Sequence, residues 1–105
     1  MILKVSNGDR IPVGAVSYVV QVSAKLDAGM RDELCHGSCN KRTCEIQVRA
    51  DLAPERFMEV LCHEVAHGIN NEYCNSAMTE EQVHGYGEGF AQVLRGWGVE
   101  IQLEM

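Results

Sequence analysis

The chain has 105 residues, 46% of them hydrophobic and 23% charged, with a formal net charge of -6. That length suits one compact domain spanning residues 1–105, with a core of modest size. The acidic balance argues against a general affinity for nucleic acid or anionic membrane, because phosphate binding needs clustered Lys and Arg. A small basic spot at Lys41 and Arg42, with Arg49 nearby, reads as a solvated turn. No segment approaches the roughly 20 continuous apolar residues of a membrane span, and Met1-Ile2-Leu3-Lys4 lacks the pattern of a secretory signal. A cytoplasmic location is therefore expected, and five cysteines, an odd number, fit thiols in a reducing compartment.

From Ile11 to Leu26 the chain is rich in Val, and Tyr18, Val20 and Val22 fall on alternate positions. This predicts a strand, broken at Gly14. Asp27-Ala28-Gly29 reads as a turn. A strand around Glu33 to Cys39 and another around Cys44 to Arg49 flank Asn40-Lys41-Arg42-Thr43, which predicts an antiparallel hairpin with Ile46 and Val48 on one apolar face.

The pattern changes after Asp51. Pro54 suits the first position of a helix and Glu55 its first turn. Phe57, Leu61, Val65 and Ile69 recur every four residues as one apolar stripe, and the helix should end near Asn70-Asn71. A loop follows, then Thr79 as an N-cap with Gln82 at the capping-box spacing. Val83, Gly87, Phe90, Leu94 and Trp97 mark the expected core side of this second helix. Gly85, Gly87 and Gly89 each weaken it by roughly 1 kcal/mol relative to alanine, which suggests a close neighbour. Gly96 and Gly98 end it, and Val99 to Leu103 form a short terminal strand. The fold class is α+β: a small antiparallel sheet followed by two helices.

His63-Glu64-Val65-Ala66-His67 carries the chemistry. Histidines at i and i+4 lie one turn apart on the same side of a helix, so both imidazoles reach one ion. They stand about 200° from Leu61, facing away from the apolar stripe and toward a cleft. Glu64, the next residue around, points at a water on the ion, takes its proton and returns it to a leaving amine. A third protein ligand would leave a fourth position for that water.

Cys62-His63-Glu64-Val65-Ala66-His67-Gly68-Ile69, with Val83-His84-Gly85-Tyr86-Gly87-Glu88-Gly89-Phe90-Ala91 on the second helix, resembles the compact zincins. Two relatives are similar: the ImmA/IrrE-type peptidases, including phage-encoded members, and the SprT/Spartan-type proteases. The resemblance covers roughly residues 30 to 97, and its specific part lies on the two helices. It implies a mini-zincin fold with a resident zinc ion, and hydrolysis of a protein or peptide substrate. Registering Phe90-Ala91 on the ImmA/IrrE pattern puts the third ligand at His84, where that family has Glu, and a supporting acid at Glu88. The SprT pattern has a His-Gly pair there, although the spacing to Phe90 is two residues longer in this chain.

Imidazole is a good zinc ligand, and Glu88 one turn on suits the other ring nitrogen of His84. The expected site is therefore His63, His67 and His84 as metal ligands with Glu64 as general base. Glu80 and Glu81, at the start of the same helix, are the alternatives for the third ligand, or first-turn acids favoured by the helix dipole. Tyr73 and Tyr86 are candidate oxyanion donors, or rim aromatics. Cys35, Cys39 and Cys44, beside His36, lack the paired knuckles of a structural zinc module. Residues 44 to 49 are the candidate sheet edge for binding an extended peptide. The rival reading is a non-catalytic, metal-stabilised interaction module. The resemblance extends it to a regulator of phage or mobile-element origin.

Overall fold

The computed structural model describes residues 1–23 and 36–104 of the chain. The elements are β1 (Ile2–Val5), β2 (Arg10–Val13), β3 (Val16–Ser23), β4 (Gly37–Asn40), β5 (Glu45–Arg49), α1 (Pro54–Tyr73), α2 (Glu80–Gly96) and β6 (Glu100–Leu103). The expected turn at 27–29, and parts of the expected strands at 11–26 and 33–39, lie outside the described residues.

Gly14 divides the first Val-rich stretch into a hairpin. Val13 pairs with Val16, and the two-residue turn between them has Gly14 at φ 63°, a conformation that L-residues seldom adopt. The second hairpin, β4–β5, turns through Asn40, whose Oδ1 accepts from the Arg42 and Thr43 backbone N–H groups. The sheet has the order β2-β3-β5-β4, with β3 and β5 parallel and Val20 opposite Ile46. The sheet is thus mixed, not antiparallel as expected. Residues 45–49 lie in its interior, and β2 and β4 are its edge strands among the described residues. The reason is topological: β5 enters beside β3 and displaces its own hairpin partner outward.

Tyr18, Val20, Ile46 and Val48 alternate onto one face of this sheet and are fully buried beneath Phe57 and Leu61 of α1, with Val65 and Ile69 packed at the margin. The stripe expected on α1 is the sheet-facing side. The Tyr18 hydroxyl is satisfied at the end of this core, donating to Glu72 Oε2 at 2.8 Å, and burial pushes its pKa up to about 12.

A second face of α1, formed by Met58 and Cys62, packs against Ala91 and Leu94 of α2. The buried positions of α2 are Val83, Gly87 and Ala91. Phe90 and Trp97, expected in the core, are exposed, Trp97 by 80%. At 100° per residue the buried residues centre about 40° further around the helix than the expected set. The rotation brings Gly87 against α1. A Cβ at Gly87 would lie 2.7 Å from the Cα of His63, whereas Cβ atoms at Gly85 and Gly89 would meet nothing within 4 Å. One of the three glycines is thus explained by a close neighbour within the fold.

The terminal strand forms as expected and pairs in parallel with β1, Ile2 opposite Glu100. β1 is four residues long and takes its partner from the other end of the chain, so no local pattern announces it. No helix among the described residues is long and apolar enough to cross a membrane.

Candidate metal centre

α1 carries His63 and His67 one turn apart, their ring centroids 4.9 Å from each other and their planes 72° apart. Both Nε2 atoms approach the same oxygen, Oε1 of Glu80, at 3.5 Å and 3.3 Å. Among the described residues, His63, His67 and Glu80 form a group whose ligand atoms all lie within 4.8 Å of one another. Two imidazoles and a carboxylate are a donor set that suits zinc and other first-row divalent ions.

Glu80 is the first residue of α2, and its position depends on the loop before it. Asn70, 5% exposed near the end of α1, accepts from the Met78 N–H at 2.9 Å and donates to the Met78 carbonyl at 3.4 Å. Its own carbonyl accepts from the N–H groups of Cys74 and Ser76, while Asn75 and Ser76 take positive φ. Thr79 then starts α2 with reciprocal bonds to Gln82. The loop is stapled to α1, so the first turn of α2 opens directly opposite His67. Asn70 is a site residue that sequence reasoning read only as a helix terminus. Its one sequence signal is an Asn just ahead of a small, polar loop.

His84, expected as the third ligand, stands beside this group. Its ring centroid is 5.4 Å from that of His63, and its Nε2 lies 3.2 Å from Glu88 Oε1, the supporting partner expected from the spacing. Both side chains line the same cleft and are about half exposed. Glu81, the other alternative, does not line it. One turn separates Glu80 from His84, and the stapled loop brings the earlier residue onto the two histidines.

Glu64 lies in the wall of this cleft and is 5% exposed. Burial, and secondarily the charge of Glu80, push its carboxyl up to about 8. Burial, then the neighbouring His67 and His84, hold His63 below its ordinary value against the opposing pull of Glu80. The shift favours the neutral imidazole, the form that binds a metal. The cleft encloses about 460 Å³, and its opposite wall is His36 with β4 residues Gly37, Ser38 and Cys39. His36 Nδ1 is buried without a hydrogen-bond partner among the described residues.

The remaining candidates lie elsewhere. The Tyr73 hydroxyl accepts from the Gly14 N–H, and Tyr86 stacks on Phe90 with ring centroids 6.4 Å apart; neither lines the cleft. Cys39 and Cys44 are free thiols that join no metal-binding group among the described residues, and Cys35 lies outside those residues. Cys39 lies 3.9 Å from the amide nitrogen of Asn71, and burial raises its thiol to about 12. Arg49 is salt-bridged to Asp51 at 2.7 Å. Comparison with protein families, with curated proteins and with solved structures finds no match to this chain.

Proposed function

We propose that the chain is a divalent-metal hydrolase, with zinc the leading candidate, that cleaves peptide bonds. One observation carries the reading: two histidines one helical turn apart converge with Glu80 on a single point, and a buried carboxylate, Glu64, shares their cleft. His63, His67 and Glu80 would hold the ion, with His84 and Glu88 beside it. A divalent ion there supplies Lewis-acid polarisation to water and to a substrate carbonyl. Glu64 accepts a proton from the attacking water and delivers it to the departing amine. Burial raises the Glu64 carboxyl to about 8 in the chain without metal, and the positive charge of a bound divalent ion would favour the ionised form that accepts the proton.

The edge strand β4 borders the cleft, so an extended peptide adding to it would lie across the site. The substrate class is therefore an extended polypeptide segment, and the similarity of the two helices to compact zincins supports the same choice. The test combines metal content with hydrolysis of an unfolded protein library. Bound zinc near one per chain, with cleavage abolished in Glu64→Gln at unchanged zinc content, supports the reading. Full cleavage by Glu64→Gln overturns the proton-shuttle role, and no binding of any offered divalent ion overturns the whole reading.

A second reading, a metal-stabilised module without catalysis, is favoured by the way the ligands bridge α1 and α2. An ion shared by two helices of a small domain contributes to folding. In that case a chelator lowers the melting temperature, and no substrate is cut.

A further inference from the structure

α2 carries an apolar stripe that the fold leaves uncovered. Tyr86, Phe90, Val93 and Trp97 are exposed by 50%, 48%, 52% and 80%. Their 4-3-4 spacing is that of a coiled-coil seam and places them within about 60° of one another around the helix. Tyr86 and Phe90 stack in near-parallel planes, 7° apart, so the stripe presents a flat aromatic face. On one flank a groove of about 360 Å³, lined by apolar side chains that include Leu3, Val65, Phe90 and Leu94, runs between β1, α1 and α2. On the other flank lie Gly85, Gly89 and Gly96, where a Cβ would meet nothing within 4 Å. Glycine inside a helix destabilises it, and Gly85 and Gly89, in the interior of α2, have no packing reason among the described residues, while Gly96 closes the helix.

The geometry points to a second copy of this chain as the occupant of that face, the two α2 helices packing antiparallel about a twofold axis. A twofold seam of this kind is self-complementary: Tyr86 and Phe90 of one copy meet Trp97 and Val93 of the other. The glycine flank lets the partner backbone approach closely. The four stripe residues and Leu3 expose on the order of 500 Å² per copy, well over half of the roughly 800 Å² each partner gives to a standard interface. The groove rim and the glycine flank supply the remainder. No charged side chain interrupts the stripe, so the acidic chain carries its repulsion away from the seam. Glu80, His84 and Glu88 lie about 110° to 170° around α2 from the centre of the stripe. Dimerisation therefore leaves the cleft open and is independent of the metal reading.

Sedimentation of the full chain from low micromolar to several hundred micromolar concentration tests this, beside Val93→Glu, Trp97→Ser and Gly89→Arg. The expected result is a wild-type dimer whose dissociation constant rises at least tenfold in each variant. The melting temperature of the dissociated variants should show that they remain folded. Gly89→Arg has open space in the single chain and removes a helical glycine, so its loss of dimer cannot come from a damaged fold. A wild-type chain that stays monomeric throughout overturns the proposal and assigns the face to a different partner. A dimer that none of the three substitutions weakens also overturns it and moves the interface elsewhere.

Discussion

Gly87 of α2 lies against the backbone of His63 in α1, so closely that a Cβ on the glycine would stand 2.7 Å from the His63 Cα and 3.1 Å from its nitrogen. The obstacle is main chain, which cannot rotate away as a side chain can. Gly87→Ala must therefore spread the helices and displace His63 relative to Glu80. The expected cost is about 1–3 kcal/mol of stability, with weakened metal binding. Gly89→Ala, two residues away in open space, should raise the stability of the monomer by up to about 1 kcal/mol and leave metal binding unchanged. Denaturant titrations and zinc-binding curves of the pair check both.

The third ligand position separates Glu80 from His84. Glu80→Ala removes an atom on which both Nε2 groups converge and is expected to lower zinc affinity by at least a hundredfold. His84→Ala removes a neighbour of the group and is expected to cost about 10-fold, in the range of a supporting partner. Competition with a chromophoric chelator measures both, and the opposite ranking would return His84 to the ligand set.

Asn70 is the link between the loop and the site. Asn70→Ala leaves the Met78 N–H and carbonyl without their side-chain partner, at an expected cost of about 1–3 kcal/mol. Because the same bonds set where α2 begins, zinc affinity should fall as well, although Asn70 touches no ligand. An unchanged affinity in a destabilised variant would show that α2 holds Glu80 in place without the loop.

In the metal-free protein the buried Glu64 carboxyl has its pKa raised from 4.5 to about 8. Below about pH 4.5 both folded and unfolded chains hold this proton, and the stabilising contribution is fully present. As pH rises toward 8 the unfolded chain ionises while the folded one does not, and the contribution is lost. The titratable and charged groups that line the cleft with Glu64 are His36 and Cys39 on the β4 side, Glu80, His84 and Glu88 on α2, and Arg56, Glu59, His63 and His67 on its own helix. His63, held low, acts in the opposite sense near neutrality. The chelated protein should therefore show a steeper fall in melting temperature from pH 5 to 8 than Glu64→Gln. Equal slopes would mean that the Glu64 charge is solvated in the folded chain.

The local pattern of the sequence was enough for the start of α1, the extent of α2, the Thr79 cap, the Gly14 break and the helix-borne motif of His63, Glu64 and His67, although α1 runs on to Tyr73, past its expected end near Asn70-Asn71. Each of these depends on residues within one or two turns, where backbone geometry alone sets which side chains are neighbours. The alternation of Tyr18, Val20, Ile46 and Val48 likewise identified the buried face of the sheet, since strand periodicity is strict.

Tertiary structure decided what lies opposite. Periodicity places Phe90 and Ala91 about 100° apart on α2 but cannot say which points at α1; the contact between Gly87 and His63 selects Ala91 and leaves Phe90 outside. The same helix offers Glu80, Glu81 and His84 at its start, and the bonds of Asn70 to Met78 bring Glu80 to the histidines. The place of β5 inside the sheet, and of β4 at its edge beside the cleft, depends on pairing with β3. In each case the outcome is a contact between segments far apart in the chain, whose energy depends on how whole elements pack and leaves no periodic trace in either segment.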